Sequence, residues 1–394
     1  GIDLTPPKKT EAWKKMSTPG IRTFMPVEET TLAEVLKEEG YTTCHIGKWH
    51  LGEEPYYPEK QGFDYNIAGW HLGWPPSYFS PYKNPYIEDG PEGEYLTDRL
   101  TEEALQFIRN HKDEPFYMNL WHYAVHTPLH AEKYRVDKYR DKTDPRGRQG
   151  NAVMAGMIES MDQSLGKLLD GLEAMDLLDK TTIIFTSDNG GLMYVSTKGL
   201  TATNNYPLRQ GKGNIHEGGI RVPWIVHWPG KIKENTVSDE VICSIDIFPT
   251  ILEMLGIRYR SGEKPIDGKS LVPVLLGEKP IKRDGIFIDF PHYTIPCENI
   301  PSHAIINNEW KLIRAYGEGP DRQNFYELYK LSRDIHEDFN MAAFYPEVVK
   351  ELDGLIEKHL EEVGCFSPIK NEAYDPEVRN PAIGLLRNQE PRIE

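Results

Sequence analysis

The sequence has little that points to a membrane, a disulfide-stabilised fold or nucleic acid. No apolar run reaches the roughly 18 residues that span a bilayer, so we predict no transmembrane helix within it. The four cysteines, at positions 44, 243, 297 and 365, form no C-x-x-C pair, which indicates neither a zinc site nor a disulfide framework. The formal net charge of -16 works against binding nucleic acid or anionic lipid. An anionic substrate would therefore need a local positive site.

What the chain does contain is typical of a folded globular protein. It has 394 residues, of which 27% are charged and 39% hydrophobic. This length allows one large domain and a smaller one.

The order helix, strand, polar loop occurs three times. In each copy a helical pattern of apolar residues precedes a short β-prone run. The third helix is predicted to bury one stripe of side chains. The predicted pairs are residues 30–40 with 41–46, 96–111 with 115–121, and 152–178 with 181–186, and the stripe is Met154, Met157, Ile158, Met161, Leu165, Leu168 and Leu172.

This alternation predicts an α/β fold in which a mostly parallel sheet carries helices on both faces. Ligands of such sheets bind beyond the carboxyl ends of the strands. A boundary near residue 280 would separate this domain, residues 1–280, from a smaller α+β domain, residues 281–394, with short strands and a helix over 346–363. The polar residues that follow the three predicted strands are Lys48 and His50, His122 and His126, and Asp188 and Asn189.

Residues 54–94 form a long segment rich in proline, glycine and aromatic side chains. Loops of this length inside a domain are usually functional or disordered, and the aromatic content argues against disorder. Two interpretations stay open. The rings either pack the segment onto the core or present a surface on which sugars stack.

Taken singly, the polar residues carry weak functional information. Asp188 and Asn189 offer oxygen ligands suited to calcium or magnesium, although Asp, Asn and Gly also favour ordinary turns. Lys48 and Lys212 could simply be solvated, and His50 and His126 could be satisfied by backbone hydrogen bonds. Their combination is what favours a catalytic site.

Four segments together resemble the sulfatase family, in the family's order. Residues 40–52 (GYTTCHIGKWHLG) resemble the second sulfatase signature. The three later blocks are similar at residues 126–128 (HTP), at 186–191 (TSDNGG), and at 208–223, which runs from LRQGKG through EGGIRVP.

The resemblance implies an alkaline phosphatase-like fold and hydrolysis of sulfate monoesters, with a sulfated sugar or other sulfated small molecule as substrate. Asp188 and Asn189 would supply part of a calcium shell, and Lys48 and Lys212 would contact the sulfate. His126 would meet the ester oxygen, and His50 would hydrogen-bond the nucleophile. By the same resemblance the compartment would be periplasmic, secreted or lysosomal.

The family's nucleophile is a formylglycine made from the cysteine of a C-x-P-S-R segment, and no cysteine here fits that pattern. We expect that segment, with two further metal-binding aspartates and a central strand, to precede Gly1, and the chain alone to be inactive. Two rivals stay open: a phosphoryl-transfer enzyme of the alkaline phosphatase superfamily, and a noncatalytic carbohydrate-binding relative.

Overall fold

The helices follow the predicted pattern closely. The structure is a computed structural model that describes residues 4–5, 10–197, 200–259, 265–294, 297–379, 387–388 and 392–394. In that part of the chain no helix is long and apolar enough to cross a membrane. The α-helices of the described residues are α1 (Leu32–Glu38), α2 (Leu96–His111), α3 (Lys133–Tyr139), α4 (Ala152–Ala174), α5 (Glu217–Ile220), α6 (Ile247–Leu255), α7 (Val272–Leu275) and α8 (Pro346–Val363).

The strands of the described residues fall into one parallel sheet of three strands, one antiparallel sheet of four, a small three-stranded sheet, and four two-stranded pairs. They are β1 (Leu4–Thr5), β2 (Met16–Ser17), β3 (Gly20–Ile21), β4 (Thr42–Gly47), β5 (Tyr65–Ile67), β6 (Phe116–Trp121), β7 (His130–Ala131), β8 (Ile183–Thr186), β9 (Val195–Thr197), β10 (Leu200–Thr201), β11 (Trp224–His227), β12 (Ile286–Phe290), β13 (Ser302–Asn307), β14 (Trp310–Ala315), β15 (Phe325–Lys330), β16 (Ile369–Lys370), β17 (Arg387–Asn388) and β18 (Arg392–Ile393). The small three-stranded sheet has the order β10-β9-β17.

The parallel sheet has the order β5-β4-β6, with helices on both faces of β4. Cys44 and Ile46 of β4 belong to the apolar core that α2 and α4 share. On the other face α1 contributes Ala33 to a second cluster with Trp49 and Phe63. The predicted α/β fold is therefore confirmed.

The start of α1 and the packing of α2 follow from local sequence. The Thr31 hydroxyl accepts the Glu34 N–H at 3.1 Å, and the Glu34 carboxylate accepts the Thr31 N–H at 2.7 Å, which forms a capping box. Leu100, Ala104 and Phe107 of α2 are buried, as their helical spacing predicted.

The predicted stripe of α4 is partly wrong. Four of its residues are buried, but Ile158 is 46% exposed, whereas Ser160 and Ser164 are buried. The helix packs against both α2 and α3, so its buried face includes small polar positions. Ser164 is satisfied there by hydrogen bonds to Thr101 at 2.5 Å and His122 at 2.9 Å. The four buried members are Met154, Met157, Leu168 and Leu172.

The C-terminal part is an antiparallel sheet in the order β12-β13-β14-β15, covered by α8. Leu352, Ile356 and Leu360 of α8 pack on Ile305 and Leu312 of the sheet. This arrangement confirms the predicted α+β character, while the boundary at residue 280 stays a prediction.

β6 and β8 each have one edge that is unpaired among the described residues. β6 pairs with β4 on one side, and β8 pairs antiparallel with β11 on one side. The residues of β6 and β8 are half-buried, and Trp121 is 44% exposed. The apolar run at residues 181–186 is typical of a buried strand, yet β8 is only half-buried, because its second edge has no neighbour in the described part of the chain.

Candidate active site

The loop that follows β4 carries Lys48 and His50 and is tied to neighbouring segments by backbone hydrogen bonds. Gly47 ends β4 with a φ of +102°, and a Cβ there would lie 2.1 Å from the carbonyl oxygen of Trp121. Glycine permits this approach, so the Lys48 N–H can donate to the same oxygen at 2.7 Å. The His50 N–H donates to the Trp70 carbonyl at 3.0 Å.

His50 has a φ of +57°, so the backbone turns there instead of continuing as a strand. Residues two apart on a strand project to the same side, but this turn means that strand alternation does not set the directions of Lys48 and His50. Burial lowers the pKa of His50, the positive charges of Lys48 and Lys212 lower it further, and Asp188 opposes them. These interactions place His50 among the other predicted site residues.

Lys48 also joins the loop after β4 to the end of β8. Its Nζ donates to Asp188 Oδ2 at 2.8 Å across 140 positions of sequence. Burial alone raises the pKa of Asp188, but the hydrogen bond from Lys48 and the charges of Lys48 and Lys212 outweigh it, so the pKa is lowered. Asp188 is therefore ionised at neutral pH, and 61% of its side chain is exposed to a ligand from solvent.

Glycines hold the segment that carries Lys212 against the loop after β8. A Cβ at Gly190 would lie 1.7 Å from the Gly218 carbonyl oxygen, and one at Gly211 would lie 2.3 Å from the Gly191 oxygen. The Lys212 N–H donates to that Gly191 oxygen at 3.0 Å. Contacts this close exclude any side chain. We call Gly190, Gly191, Gly211, Gly218 and Gly219 the glycine junction.

The glycine junction explains why Lys212 lies near Asp188 despite their separation in sequence. Burial lowers the pKa of Lys212, the charge of Lys48 lowers it further, and Asp188 opposes both. Two lysines and one carboxylate leave this cluster with excess positive charge, in a protein that is strongly acidic overall.

His126 lies in the loop after β6 and faces the same charges. Its Nδ1 contacts the Thr127 carbonyl at 2.8 Å, and because a carbonyl can only accept, Nδ1 carries the proton in this bond. Burial, together with the charges of Lys212 and Lys48, lowers the pKa of His126 to about 4. At neutral pH the ring is therefore uncharged, with its proton on Nδ1.

The structure thus brings Lys48, His50, His126, Asp188 and Lys212 together. A cavity beside Met16 and Arg322 and another beside Asp239 and Arg283 lie away from this cluster. Lys48 and His50 follow β4, His126 follows β6 and Asp188 follows β8, whereas Lys212 lies beside Gly211 of the glycine junction.

The donor set next to Lys48 suits a hard cation but is small. Asn189 donates through Nδ2 to the Gly190 carbonyl at 3.0 Å, which leaves its Oδ1 as an oxygen ligand beside the Asp188 carboxylate. Calcium takes six to eight oxygen ligands. In the described residues no three His, Cys, Asp or Glu side chains are grouped to hold a metal. The pair fits calcium as a partial shell.

A buried ionic network connects the C-terminal sheet to residues on both sides of Lys212 in the sequence. Lys311 of β14 is fully buried between Glu217 at 2.9 Å and Glu337 at 2.8 Å. The Glu337 carboxylate accepts the Glu217 N–H at 2.7 Å, and Arg209 donates to the Glu337 carbonyl at 2.9 Å. The sequence patterns did not reveal this network, because its members lie far apart in the chain.

Sequence reasoning also missed two residues beside His50. Trp74 has its ring centroid 6.4 Å from that of His50, and His71 lies close enough to lower the pKa of His50. The one available signal was the run of aromatic residues within residues 70–74, which the expectation treated only as part of the long segment.

Comparison with known proteins identifies the family. The model of the sulfatase family matches residues 10–257, more than half of the chain. The chain belongs to the sulfatase family. A second model, of the C-terminal region of N-sulphoglucosamine sulphohydrolase, matches residues 211–363. The resemblance seen in the four sequence segments is therefore confirmed.

Curated relatives include sugar sulfatases. The chain is 30% identical to human N-acetylgalactosamine-6-sulfatase, over 88% of this chain and 71% of that protein. It is 28% identical to an N-acetylgalactosamine-6-O-sulfatase of Bacteroides thetaiotaomicron, over 83% of this chain and 76% of that protein. The match to the dog N-acetylgalactosamine-6-sulfatase, at 35% identity, spans 50% of that protein. The chain thus corresponds to between half and three quarters of these relatives.

Among solved structures, the crystal structure of Ps i-CgsB superposes with a TM-score of 0.71 at 26% identity. The match covers 90% of this chain and 77% of that one. The same protein has been solved in complex with k-i-k-neocarrahexaose.

Proposed function

We propose that this protein hydrolyses sulfate monoesters of sugars. The observation that carries the proposal is the convergence of Lys48, Lys212 and His126 around the ionised Asp188. Names of the related proteins support a sulfated sugar as the substrate class. The site offers lysines and one pair of oxygen ligands for a single hard cation. This arrangement suits a sulfate ester better than a phosphoryl-transfer reaction, whose enzymes typically hold two metal ions.

Lys48 and Lys212 would bind the anionic oxygens of the ester. Lys212 has its pKa lowered by burial and by Lys48, so an incoming anion relieves the repulsion between the two ammonium groups. Fixed cations of this kind stabilise charge that develops in the transition state without reorganising during the reaction. Binding and catalysis therefore draw on the same two side chains.

His126 would serve the departing alcohol oxygen. The free ring is neutral because burial and two lysines lower its pKa to about 4. A bound sulfate adds negative charge nearby and favours the protonated ring, which could then donate to the ester oxygen. His50, which is also held neutral, would accept a hydrogen bond or a proton on the nucleophile's side.

Two further components of the proposal rest on analogy with the family. Asp188 and Asn189 would hold part of the shell of a calcium ion, and a formylglycine from outside this sequence would be the nucleophile. The metal would lower the pKa of the nucleophile and offset negative charge. Elemental analysis of the complete gene product should find one calcium per protein, with less bound after Asp188→Asn. Stoichiometric zinc would contradict this assignment.

The activity test is sulfate release from N-acetylgalactosamine 6-sulfate by the complete gene product. Lys48→Ala, Lys212→Ala and His126→Ala should each reduce kcat/KM by at least about a hundredfold, since preorganised groups at developing charge have effects of that size. Lys330→Ala, which removes a surface pair with Glu309, is the control and should leave the rate unchanged. Faster hydrolysis of phosphate esters would favour the phosphoryl-transfer rival, and binding without turnover would favour the noncatalytic one.

A further inference from the structure

The aromatic side chains of residues 54–94 range from fully buried to half-exposed. Tyr78, Phe79 and Tyr82 are fully buried, so they pack the segment onto the core. Trp74 and Tyr65 are each 45% exposed. Tyr65 packs its ring against Phe107 and His111, toward the end of α2. Trp74 instead faces the candidate active site.

The backbone around Trp74 is fixed to His50. The carbonyl of Trp70 accepts the His50 N–H at 3.0 Å. A Cβ on Gly73 would lie 2.3 Å from His50 Nδ1, so the chain passes over the imidazole at a distance that a side chain would not allow. The rings of Trp74 and His50 then meet edge to face, at 6.4 Å and 74°. Trp74 is thus held at the rim of the lysine and histidine cluster.

Packing against the core does not explain why Trp74 is half-exposed beside the site, but ligand binding does. The indole offers a broad apolar face, and the pyranose ring of a sugar has one face of C–H groups that can cover it. Ligand sites combine such apolar surfaces with a few polar groups that fix orientation. Here Lys48 and Lys212 would hold the sulfate while the indole supports the ring that carries it.

We propose that Trp74 is a stacking platform for the sugar ring that bears the sulfate, and therefore a specificity-determining residue of the site. The inference rests on the proposed function. It adds recognition of the sugar ring, which the two lysines do not contact when they bind the sulfate. Inorganic sulfate, which has no ring, gains nothing from the platform.

The test is isothermal titration calorimetry of the 394-residue chain with N-acetylgalactosamine 6-sulfate and with inorganic sulfate. Trp74→Ala should raise the Kd of the sulfated sugar by about tenfold or more and leave the Kd of inorganic sulfate unchanged. Trp74→Phe, which keeps an aromatic face, should recover part of the affinity. Tyr65→Ala, equally exposed in the same segment but packed against α2, should behave as the unchanged chain.

Equal weakening of both ligands in Trp74→Ala would show that the indole only supports His50, and it would overturn the platform. An unchanged sugar Kd would also overturn it. If neither ligand binds the unsubstituted chain, the anion site assigned to Lys48 and Lys212 is absent from it and the platform is overturned, whereas sulfate release by the complete gene product tests the proposed function separately. That result is distinguishable from the first two because it appears without any substitution at position 74.

Discussion

The protonation of the site follows from single side chains and their neighbours. Lys48, Lys212 and Asp188 fix the local charge, and the buried histidines respond to it. Sequence alone could propose these residue types from their segments. It could not give the pKa of any of them, because burial and the approach of Lys212 depend on the folded loops.

His126 provides a direct check at this scale. In calcium-free buffer its ring should titrate near pH 4, because burial and the lysine charges disfavour the imidazolium form. Saturating inorganic sulfate should raise this midpoint, since a neighbouring anion favours the charged ring. The Cε1–H chemical shift reports the titration, and His126→Asn assigns the signal. A midpoint near the ordinary value of about 6.5 would show that the ring is solvated and away from the lysines.

At the scale of elements, the sequence predicted regular segments well. The bounds of α2 and α8 match the helices predicted at 96–111 and 346–363, and Thr31, inside the first predicted helix, caps α1. The errors lie where tertiary packing decides, as with Ile158 and Ser164 on α4. Loop geometry was also beyond the sequence, since the left-handed turn at His50 is imposed by contacts with residues far along the chain.

The glycine junction should tolerate no side chain. Gly190→Ala and Gly218→Ala each place a Cβ within about 2 Å of a backbone oxygen, so the loops must separate and Lys212 must move from Asp188. We expect weaker binding of inorganic sulfate and a lower Tm in both variants. Gly166→Ala in α4 is the matched control, because its Cβ meets no atom within 4 Å and alanine favours helices by roughly 1 kcal/mol. Normal sulfate binding in Gly190→Ala would disprove the role given to this junction.

The buried network around Lys311 should be costly to break. Lys311→Met leaves Glu337 buried without its cation and Glu217 with only the exposed Arg221 at 3.3 Å, and removing one partner of a buried pair costs about 3–5 kcal/mol. Lys330→Met on the adjacent strand removes a partly exposed pair with Glu309, which is worth about 1 kcal/mol or less. Urea unfolding measures both. Equal small losses in the two variants would mean that the carboxyl groups are protonated or hydrated in the folded protein.

At the scale of the whole molecule, the parallel sheet forms as the alternation of helices and strands predicted, but strand edges near the site are unpaired in the described part of the chain. Parallel strands are normally buried on both faces and paired on both edges. Here β6 and β8 each have one unpaired edge among the described residues, and their side chains are only half-buried. Exposed strand edges invite pairing with another chain. The loops that carry His126 and Asp188 follow these two strands. Pairing at the open edges would therefore affect the position of both side chains.

We therefore expect the 394-residue chain to self-associate through these edges as its concentration rises. Hydrogen exchange in dilute samples should be fast at amides of β6 and β8 and slow in β14, which is paired on both sides by β13 and β15. Concentrating the chain should slow exchange in β6 and β8 while light scattering reports larger particles. The β14 amides are the internal control, because their pairing does not depend on association. A chain that stays monomeric throughout, with β6 and β8 as protected as β14, would show that these edges are already satisfied, and the open geometry around Asp188 would need another cause.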